Sequence, residues 1–166
     1  MRILLALLAL APGFAAATPA DDLPIVCVTG ASGFLGSELT GQLLETGQFR
    51  VRGTVRLLES FKAAPLRALK GAAERLELVQ ADLNDAGSFV ACCEEATYVF
   101  HTASPFVTAN IEDPHAQLVT PAVEGTINVL KAAAKAGVKR VVLTSSIAAL
   151  MGGTSTKATC FDEGDW

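Results

Sequence analysis

Two kinds of apolar pattern alternate along this chain, and together they predict its secondary structure. Short apolar or strictly alternating runs, typical of buried strands, occur at 25–28, 51–55, 76–79, 98–100 and 140–144. Between them, apolar residues recur at helical spacing and predict helices from about Leu35 to Gly47 and at 64–70, 86–94 and 117–136. In the last helix one face carries Val119, Val123, Ile127 and Leu130. Five strands separated by helices predict an α/β fold with a parallel sheet and right-handed crossovers.

The first twenty residues have a different pattern. Arg2 precedes an unbroken apolar run at 3–11, Pro12 and Gly13 break that run, and three alanines follow at 15–17. A bilayer span needs about 20 apolar residues, so this run is too short to cross a membrane. We interpret 1–20 as a signal or targeting peptide that directs the chain to the secretory pathway or an organelle. An uncleaved anchor or a misassigned start codon are the alternatives; otherwise the protein is cytoplasmic.

Composition indicates one packed domain at 25–166. Hydrophobic residues make up 51% of the 166 residues and charged residues 18%, which favours a globular chain over a disordered one. The net charge of −4 includes no basic run, so no nucleic-acid partner is predicted. The four cysteines, Cys27, Cys92, Cys93 and Cys160, show neither a disulfide framework nor zinc-ligand spacing. We therefore expect reduced thiols and no metal, which fits poorly with a secretory signal.

A glycine-rich turn follows the first predicted strand and opens the first helix. Its sequence is Gly30-Ala31-Ser32-Gly33-Phe34-Leu35-Gly36. Glycines allow a sharp turn, a close approach of backbone N–H groups to a pyrophosphate, and tight packing of the helix on the sheet. The helix N-terminus directs its partial positive charge at the phosphates. The alternative is an ordinary strand-to-helix turn, but here strand, turn and helix occur in the order that dinucleotide binding requires. The fold is thus predicted to be a Rossmann-type doubly wound sheet with helices on both faces.

Basic residues follow the second predicted strand, where an NAD-selective site usually has a carboxylate for the ribose 2′-hydroxyl. Arg56 ends this strand and Lys62 lies shortly after it. A guanidinium at this position binds a 2′-phosphate in a fork, so NADP is predicted rather than NAD. The alternative is that Arg56 is a solvated surface arginine.

Two further strand ends suit the same cofactor. Asp82 and Leu83 close the third strand, where a carboxylate is able to accept a hydrogen bond from the adenine amino group. Thr102, Ala103 and Ser104 close the fourth, where small residues leave room for ribose and pyrophosphate. Ligands of such sheets bind outside the carboxyl ends of the strands. Each position also has a plain structural reading, Asp82 as a turn carboxylate and Ala103 as packing.

The chain resembles the extended short-chain dehydrogenases/reductases of the NAD-dependent epimerase/dehydratase superfamily. It is most similar to the branch of dihydroflavonol 4-reductases and cinnamoyl-CoA reductases. The matching segments are VTGASGFLGS at 28–37, VRGTVR at 51–56, ADL at 81–83, VFHTASP at 99–105, PAVEGTINVLKAA at 121–133, RVVLTSSIAA at 140–149 and DEGDW at 162–166.

This resemblance implies roles for individual residues. The pyrophosphate would be lined by Gly30, Ser32, Gly33, Phe34, Leu35 and Gly36, and the 2′-phosphate by Arg56 with Lys62 nearby. Asp82 and Leu83 would flank the adenine, and Thr102, Ala103 and Ser104 the ribose. Ser146 would be the catalytic serine that hydrogen-bonds the substrate oxygen, with Ser145 as the other candidate. Asn128 would support a proton relay, or it satisfies local backbone groups instead.

One departure from the family concerns the catalytic acid. Relatives use a tyrosine in a Tyr-x-x-x-Lys pair, whose lysine lowers the tyrosine pKa. The single tyrosine here, Tyr98, lies in the fourth predicted strand without that lysine, and neither His101 nor His115 stands where relatives keep the acid. We therefore interpret the chain as the N-terminal part of an NADP-dependent reductase of a ketone, aldehyde or CoA-thioester carbonyl, truncated after about the fifth strand and inactive as this fragment.

Two other readings stay open. In one, the 166 residues form a non-catalytic nucleotide-binding or interaction protein with an unpaired sheet edge. In the other, the chain is a relative of NAD-dependent epimerases/dehydratases or of steroid dehydrogenases; Arg56 argues against the epimerases that retain NAD. The small-molecule substrate and the oligomeric state are not readable from the sequence.

Overall fold

The computed structural model describes residues 19–106 and 109–151. Most of the predicted signal segment, Cys160 and the DEGDW segment at 162–166 lie outside the described residues. The first described element is a single 3-10 turn, Ala20–Asp22. No helix within the described ranges combines the length and apolarity that a membrane span requires.

Five parallel strands form one sheet in the order β3-β2-β1-β4-β5. They are β1 Ile25–Thr29, β2 Arg50–Val55, β3 Leu76–Gln80, β4 Ala96–His101 and β5 Arg140–Leu143. All five were predicted from the sequence, each within about two residues. The order reverses between β1 and β4, and the carboxyl ends of these two strands border the crevice where doubly wound sheets bind ligands. The predicted Rossmann-type fold is confirmed.

Helices cover both faces of the sheet. They are α1 Phe34–Thr46, α2 Ala64–Arg67, α3 Ala72–Arg75, α4 Val90–Cys93, α5 Thr120–Lys135 and α6 Ile147–Met151. Helix α1 ends, as predicted, at Gly47, whose φ of 69° gives the left-handed C-terminal cap. A π-helical turn, His115–Val119, leads into α5.

Two predicted helices are shorter than expected. The segment 64–70 contains only α2, and a separate α3 begins after Gly71. The segment 86–94 contains only α4, because the residues before it form turns closed by polar side chains. Asp85 Oδ1 accepts from the N–H of Gly87, and the Ser88 hydroxyl bonds the carbonyls of Asp82 and Asp85. Such local side-chain bonds compete with helical ones.

Strand β1 is the centre of two apolar layers. All five of its residues are buried, since both faces of a parallel sheet are covered. Val26 and Val28 pack against Leu39, Leu43 and Leu44 of α1. Ile25 and Cys27 pack on the other face, in a cluster contributed by β4, α4 and α5 and formed by Ala81, Phe89, Cys92, Cys93, Ala96, Val99, Val129, Ala132 and Ala133.

The face that α5 turns to the sheet consists mainly of small residues. Its buried positions are Pro121, Gly125, Val129, Ala132 and Ala133. The larger side chains that share the other face, Val119, Val123 and Leu130, are 42–50% exposed. Small side chains bring α5 close to β4 and to the loop after β3.

The expectation of reduced cysteines is wrong for one pair. Cys27 of β1 and Cys92 of α4 form a disulfide across a sequence separation of 65, and both residues are fully buried. Cys93 is a free, buried thiol whose pKa burial raises to about 11, an effect that nearby Arg52 partly offsets. The disulfide was not apparent from spacing because it joins a strand residue to a helix residue distant in sequence.

Candidate functional site: the crevice between β1 and β4

The glycine turn after β1 is folded as dinucleotide binding requires. Gly30 has a φ of 66°, and a Cβ atom built on it would lie 3.0 Å from the Cα of Ala103, in the segment after β4. A Cβ atom on Gly36 would collide with the Gly30 carbonyl oxygen. The Gly30 contact shows that the turn and the segment after β4 meet closely at the switch point of the sheet, and the Gly36 contact shows that the turn packs closely on the start of α1.

Helix α1 directs its N-terminus into the crevice. The first bond of the helix runs from the N–H of Ser37 to the carbonyl of its N-cap, Gly33. The N–H groups of Phe34, Leu35 and Gly36 therefore lack intrahelical acceptors and lie at the positive end of the helix dipole. Phe34 is 98% exposed and Leu35 is half exposed, so neither belongs to the core. Backbone donors on a 13-residue helix fit a pyrophosphate.

Strand β2 holds the glycine turn from the other side. Thr54 accepts two hydrogen bonds from it, Gly30 N–H to Oγ1 at 3.0 Å and Ala31 N–H to the carbonyl oxygen at 2.9 Å. Arg56 follows two residues later and is exposed. No salt bridge within 19–106 and 109–151 involves Arg56. Arg56 is thus an exposed basic residue two positions beyond the strand residue that holds the glycine turn.

The other basic residues of this region differ from Arg56. Arg52 donates to Glu77 Oε2 at 2.8 Å and to the carbonyls of Ala91 and Glu94, so it joins β2 to β3 and α4. Lys62 is exposed in the loop before α2, with its ammonium 5.9 Å from the Phe61 ring centroid. Among the described residues, Lys62 forms no hydrogen bond or ion pair with the glycine turn.

The residues after β3 form a turn held by α5. Asp82 Oδ1 accepts from the N–H of Asn84 at 2.9 Å, which is the turn role that the sequence left open. The carbonyl of Leu83 accepts from Asn128 Nδ2 at 3.2 Å. The Leu83 side chain lies against Gly125, where any Cβ atom would overlap it. The Asn128 amide thus bonds a backbone group 45 residues away in sequence, and its part in a proton relay stays a prediction.

The segment after β4 is fixed by two residues that the sequence analysis did not assign, Thr29 and His101. Thr29 Oγ1 accepts from the N–H groups of Thr102 and Ala103 at 3.2 and 3.1 Å, and the Thr102 hydroxyl donates to the Thr29 carbonyl at 2.6 Å. The Nδ1 atom of His101 lies 2.7 Å from the same Thr29 Oγ1. Burial of His101, which is 2% exposed, lowers its pKa from 6.5. In the sequence, the only sign of this role was a histidine at the end of a strand whose other residues are mostly apolar.

Ser146 follows β5 and lies at the carboxyl edge of the sheet, as the segment after β4 does. Leu143 pairs with His101, and Ser146 lies three residues further on, exposed. Its Oγ accepts from the N–H of Ala148 at 3.2 Å, at the start of α6. Tyr98 pairs with Arg140 nearer the amino end of the sheet, and so does not share this edge.

An apolar depression borders the end of β4. Its volume is about 380 Å³, and the described residues that line it are Ser104, Pro105, Phe106, Leu118, Val119 and Ala122. The Phe106 side chain is 89% exposed. Ser104 thus lies between the glycine turn and an apolar surface, a combination that suits a cofactor and an apolar substrate side by side.

Comparison with known proteins also indicates a dinucleotide-binding fold. Residues 26–163 match the family described as NAD dependent epimerase/dehydratase. Cinnamoyl-CoA reductase 1 of Petunia hybrida is 50% identical over 143 residues, 86% of this chain but 41% of the relative. The crystal structure of vestitone reductase from alfalfa (Medicago sativa) has a TM-score of 0.63 and 37% identity, covering 78% of this chain and 39% of the reductase.

A cofactor complex is among the similar structures. Yeast methylglyoxal/isovaleraldehyde reductase Gre2 complexed with NADPH has a TM-score of 0.66 and 33% identity, over 76% of this chain and 38% of the yeast protein. The chain therefore spans about two fifths of the length of each of these relatives.

Proposed function

The chain belongs to the NAD-dependent epimerase/dehydratase family, and we propose that it binds NADPH and supplies the cofactor-binding part of a carbonyl reductase. The single observation that carries this proposal is the approach of the Gly30 turn to Ala103 at the switch point between β1 and β4. Doubly wound sheets bind dinucleotides at this point. The NADPH complex of the similar yeast reductase supports the choice of cofactor.

The proposed NADPH orientation follows from the order of the groups around the crevice. The pyrophosphate would bind at the N–H groups of 34–36, and the 2′-phosphate at Arg56 beyond β2. The adenine would lie near the turn at Asp82 and Leu83. The ribose on the nicotinamide side would contact Thr102, Ala103 and Ser104. Arg56 supports NADPH over NADH, because a guanidinium forms charge-assisted bonds with a phosphate.

Carbonyl reduction is proposed for the protein to which this cofactor site belongs. NADPH held in this crevice would provide the hydride that the carbonyl carbon accepts. Ser146 Oγ accepts from the N–H of Ala148, which leaves its hydroxyl proton available to donate to the carbonyl oxygen. The apolar depression beside Ser104 would receive the apolar portion of a small-molecule substrate. The tyrosine and lysine that relatives use for proton transfer have no counterpart in the described residues.

The binding step is tested by titrating the purified chain with NADPH and following the nicotinamide fluorescence. Saturable binding is expected, with NADH binding more weakly. Absence of NADPH binding to a folded chain would overturn the proposal. The chemical step is tested by sequencing the transcript beyond the Trp166 codon, where an in-frame Tyr-x-x-x-Lys supports a reductase. Without that pair, the competing reading of a non-catalytic dinucleotide-binding protein gains support.

Targeting by residues 1–20 is a separate proposal. The Cys27–Cys92 disulfide supports it, because disulfides persist in oxidising compartments and are rare in the cytosol. A fluorescent protein carrying residues 1–24 of this chain at its N-terminus should enter the secretory pathway or an organelle. A diffuse cytoplasmic signal would contradict the proposal.

A further inference from the structure

His101 joins three elements beneath the cofactor crevice. It ends β4, its Nδ1 faces Thr29 at the end of β1, and its Nε2 lies 3.3 Å from Thr126 Oγ1 of α5. It is among the largest fully buried side chains of the described residues, and it is polar. A buried polar ring at this position needs a hydrogen bond at each nitrogen.

The hydrogen bonds around the ring determine its tautomer. A threonine hydroxyl has one proton and two lone pairs, and Thr29 Oγ1 already accepts from the N–H groups of Thr102 and Ala103. Its proton must therefore be donated to His101 Nδ1, which carries no hydrogen. The neutral ring then has its hydrogen on Nε2 and donates it to Thr126 Oγ1.

On the Nε2 side of the ring, the hydrogen bonds run in the same direction, away from Thr29 and toward α5. The Thr126 hydroxyl donates to the carbonyl of Ala122 at 2.7 Å, so its oxygen is available to accept from His101 Nε2. Every donor in the series has one acceptor: the series begins at the backbone N–H groups of Thr102 and Ala103 and ends on the carbonyl oxygen of Ala122. A second proton on the ring would leave the Thr29 hydroxyl facing another donor.

We propose that His101 is a positioning residue for the cofactor, acting through Thr29 to hold 102–104 against the Gly30 turn. The His101 acceptor fixes the direction of the Thr29 hydroxyl, so that its lone pairs bind the two N–H groups. Ala103 is thereby held where it contacts Gly30. This inference rests on the proposed NADPH site, because 102–104 is the segment assigned to the ribose.

Paired substitutions test the positioning role. His101→Leu removes the acceptor at Nδ1, whereas the Oδ1 atom of His101→Asn replaces it. NADPH binding should weaken roughly five- to tenfold in the leucine variant, the loss of about one hydrogen bond, and recover in the asparagine variant. Thr29→Val and Thr29→Ser form a second pair, in which only valine lacks the hydroxyl. Unchanged NADPH affinity in folded His101→Leu and Thr29→Val would overturn the inference.

A double-mutant cycle and a spectroscopic measurement separate this role from general stability. If His101 acts through Thr29, His101→Leu should weaken NADPH binding much less in the Thr29→Val background than alone, whereas additive losses would contradict the inference. Nitrogen-15 NMR of the full chain at pH 7, assigned with His101→Asn, should show a protonated Nε2 and an unprotonated Nδ1. The opposite tautomer would overturn the inference even if a variant fails to fold. Failure of the wild-type chain to bind NADPH would instead contradict the proposed function and leave the tautomer result standing.

Discussion

Gly30 and Ala103 approach so closely that a Cβ atom on Gly30 would lie 3.0 Å from the Cα of Ala103. This contact joins the turn after β1 to the segment after β4 across the switch point. Hydrogen bonds fix both partners, Gly30 through Thr54 of β2 and Ala103 through Thr29 of β1. The crevice is consequently a preformed part of the fold, built by three adjacent strands.

Substitution of Gly30 by alanine should weaken both folding and cofactor binding. An L residue at a φ of 66° costs about 1–2 kcal/mol, and the added methyl group must also displace Ala103. We expect NADPH affinity to fall by roughly tenfold or more, the factor that about 1.4 kcal/mol represents. Fluorescence titration and urea unfolding measure the two effects.

Gly47→Ala is the matched control for this prediction. Gly47 has a similar φ of 69°, but a Cβ atom there meets nothing within 4 Å. It should lose about 1–2 kcal/mol of unfolding free energy from backbone strain and bind NADPH normally. Equal effects of the two substitutions on NADPH affinity would contradict the assigned role of Gly30.

The Cys27–Cys92 disulfide should make stability depend on reductant. Opening a bridge across a sequence separation of 65 should lower the free energy of unfolding by about 4 kcal/mol, since the unfolded chain regains entropy. Urea unfolding with and without a phosphine reductant measures this loss. A Cys27→Ala/Cys92→Ala variant should be insensitive to the reductant. A wild-type midpoint that does not move would argue against the bridge.

Thiol labelling offers an independent view of the same cysteines. Cys93 is buried and its pKa is raised to about 11, so little thiolate forms at pH 8. In a Cys160→Ser background, iodoacetamide should label no cysteine of the native protein at this pH. After denaturation without reductant it should label Cys93 alone. Labelling of Cys27 or Cys92 under those conditions would show that they are not paired.

Sequence patterns predicted the fold well because its strands are short, apolar and evenly separated. The sharp turn at Gly30 was also predictable, since glycines follow a strand and open a helix there. The role of Arg56 at the 2′-phosphate stays a prediction. The shortness of α4 was not predicted, because side-chain hydrogen bonds of Asp85 and Ser88 form a turn within 86–94 in spite of its helical spacing. Periodicity shows which residues share one face of a helix, but it does not show which face meets the sheet. The burial of Cys92 against Cys27 was therefore not predicted.

The role of His101 was missed for a related reason. Only the pairing of β1 with β4 brings it to Thr29, 72 residues away in sequence. A lone histidine at a strand end therefore carries little information until the strand order is known. The same holds for Gly125, whose missing side chain accommodates Leu83.

Stability should decrease as the pH falls below 6.5. Burial lowers the pKa of His101 below this unfolded value, so the unfolded chain takes up a proton before the folded one does. The groups that hydrogen-bond its ring from β1 and α5 are the hydroxyls of Thr29 and Thr126, which do not titrate near neutral pH. The free energy of unfolding should fall by up to about 1.4 kcal/mol per pH unit between 6.5 and the lowered pKa.

Urea unfolding between pH 7.5 and pH 5 measures this dependence, with His101→Asn as the control. The asparagine does not titrate, so the variant should lose less stability over this range than the wild type. Identical profiles for the two proteins would show that His101 does not contribute to the pH dependence.

The most direct test of the account is the cofactor preference of Arg56→Asp. Removal of charge-assisted bonds to the 2′-phosphate, worth about 1.5–3 kcal/mol, should weaken NADPH binding roughly 10- to 100-fold. NADH binding should be unchanged or stronger, because a carboxylate at this position suits the ribose 2′-hydroxyl. Lys131→Asp, an equal charge change on the exposed side of α5, should alter neither affinity. Equal losses of NADPH and NADH affinity in Arg56→Asp would contradict the proposed site.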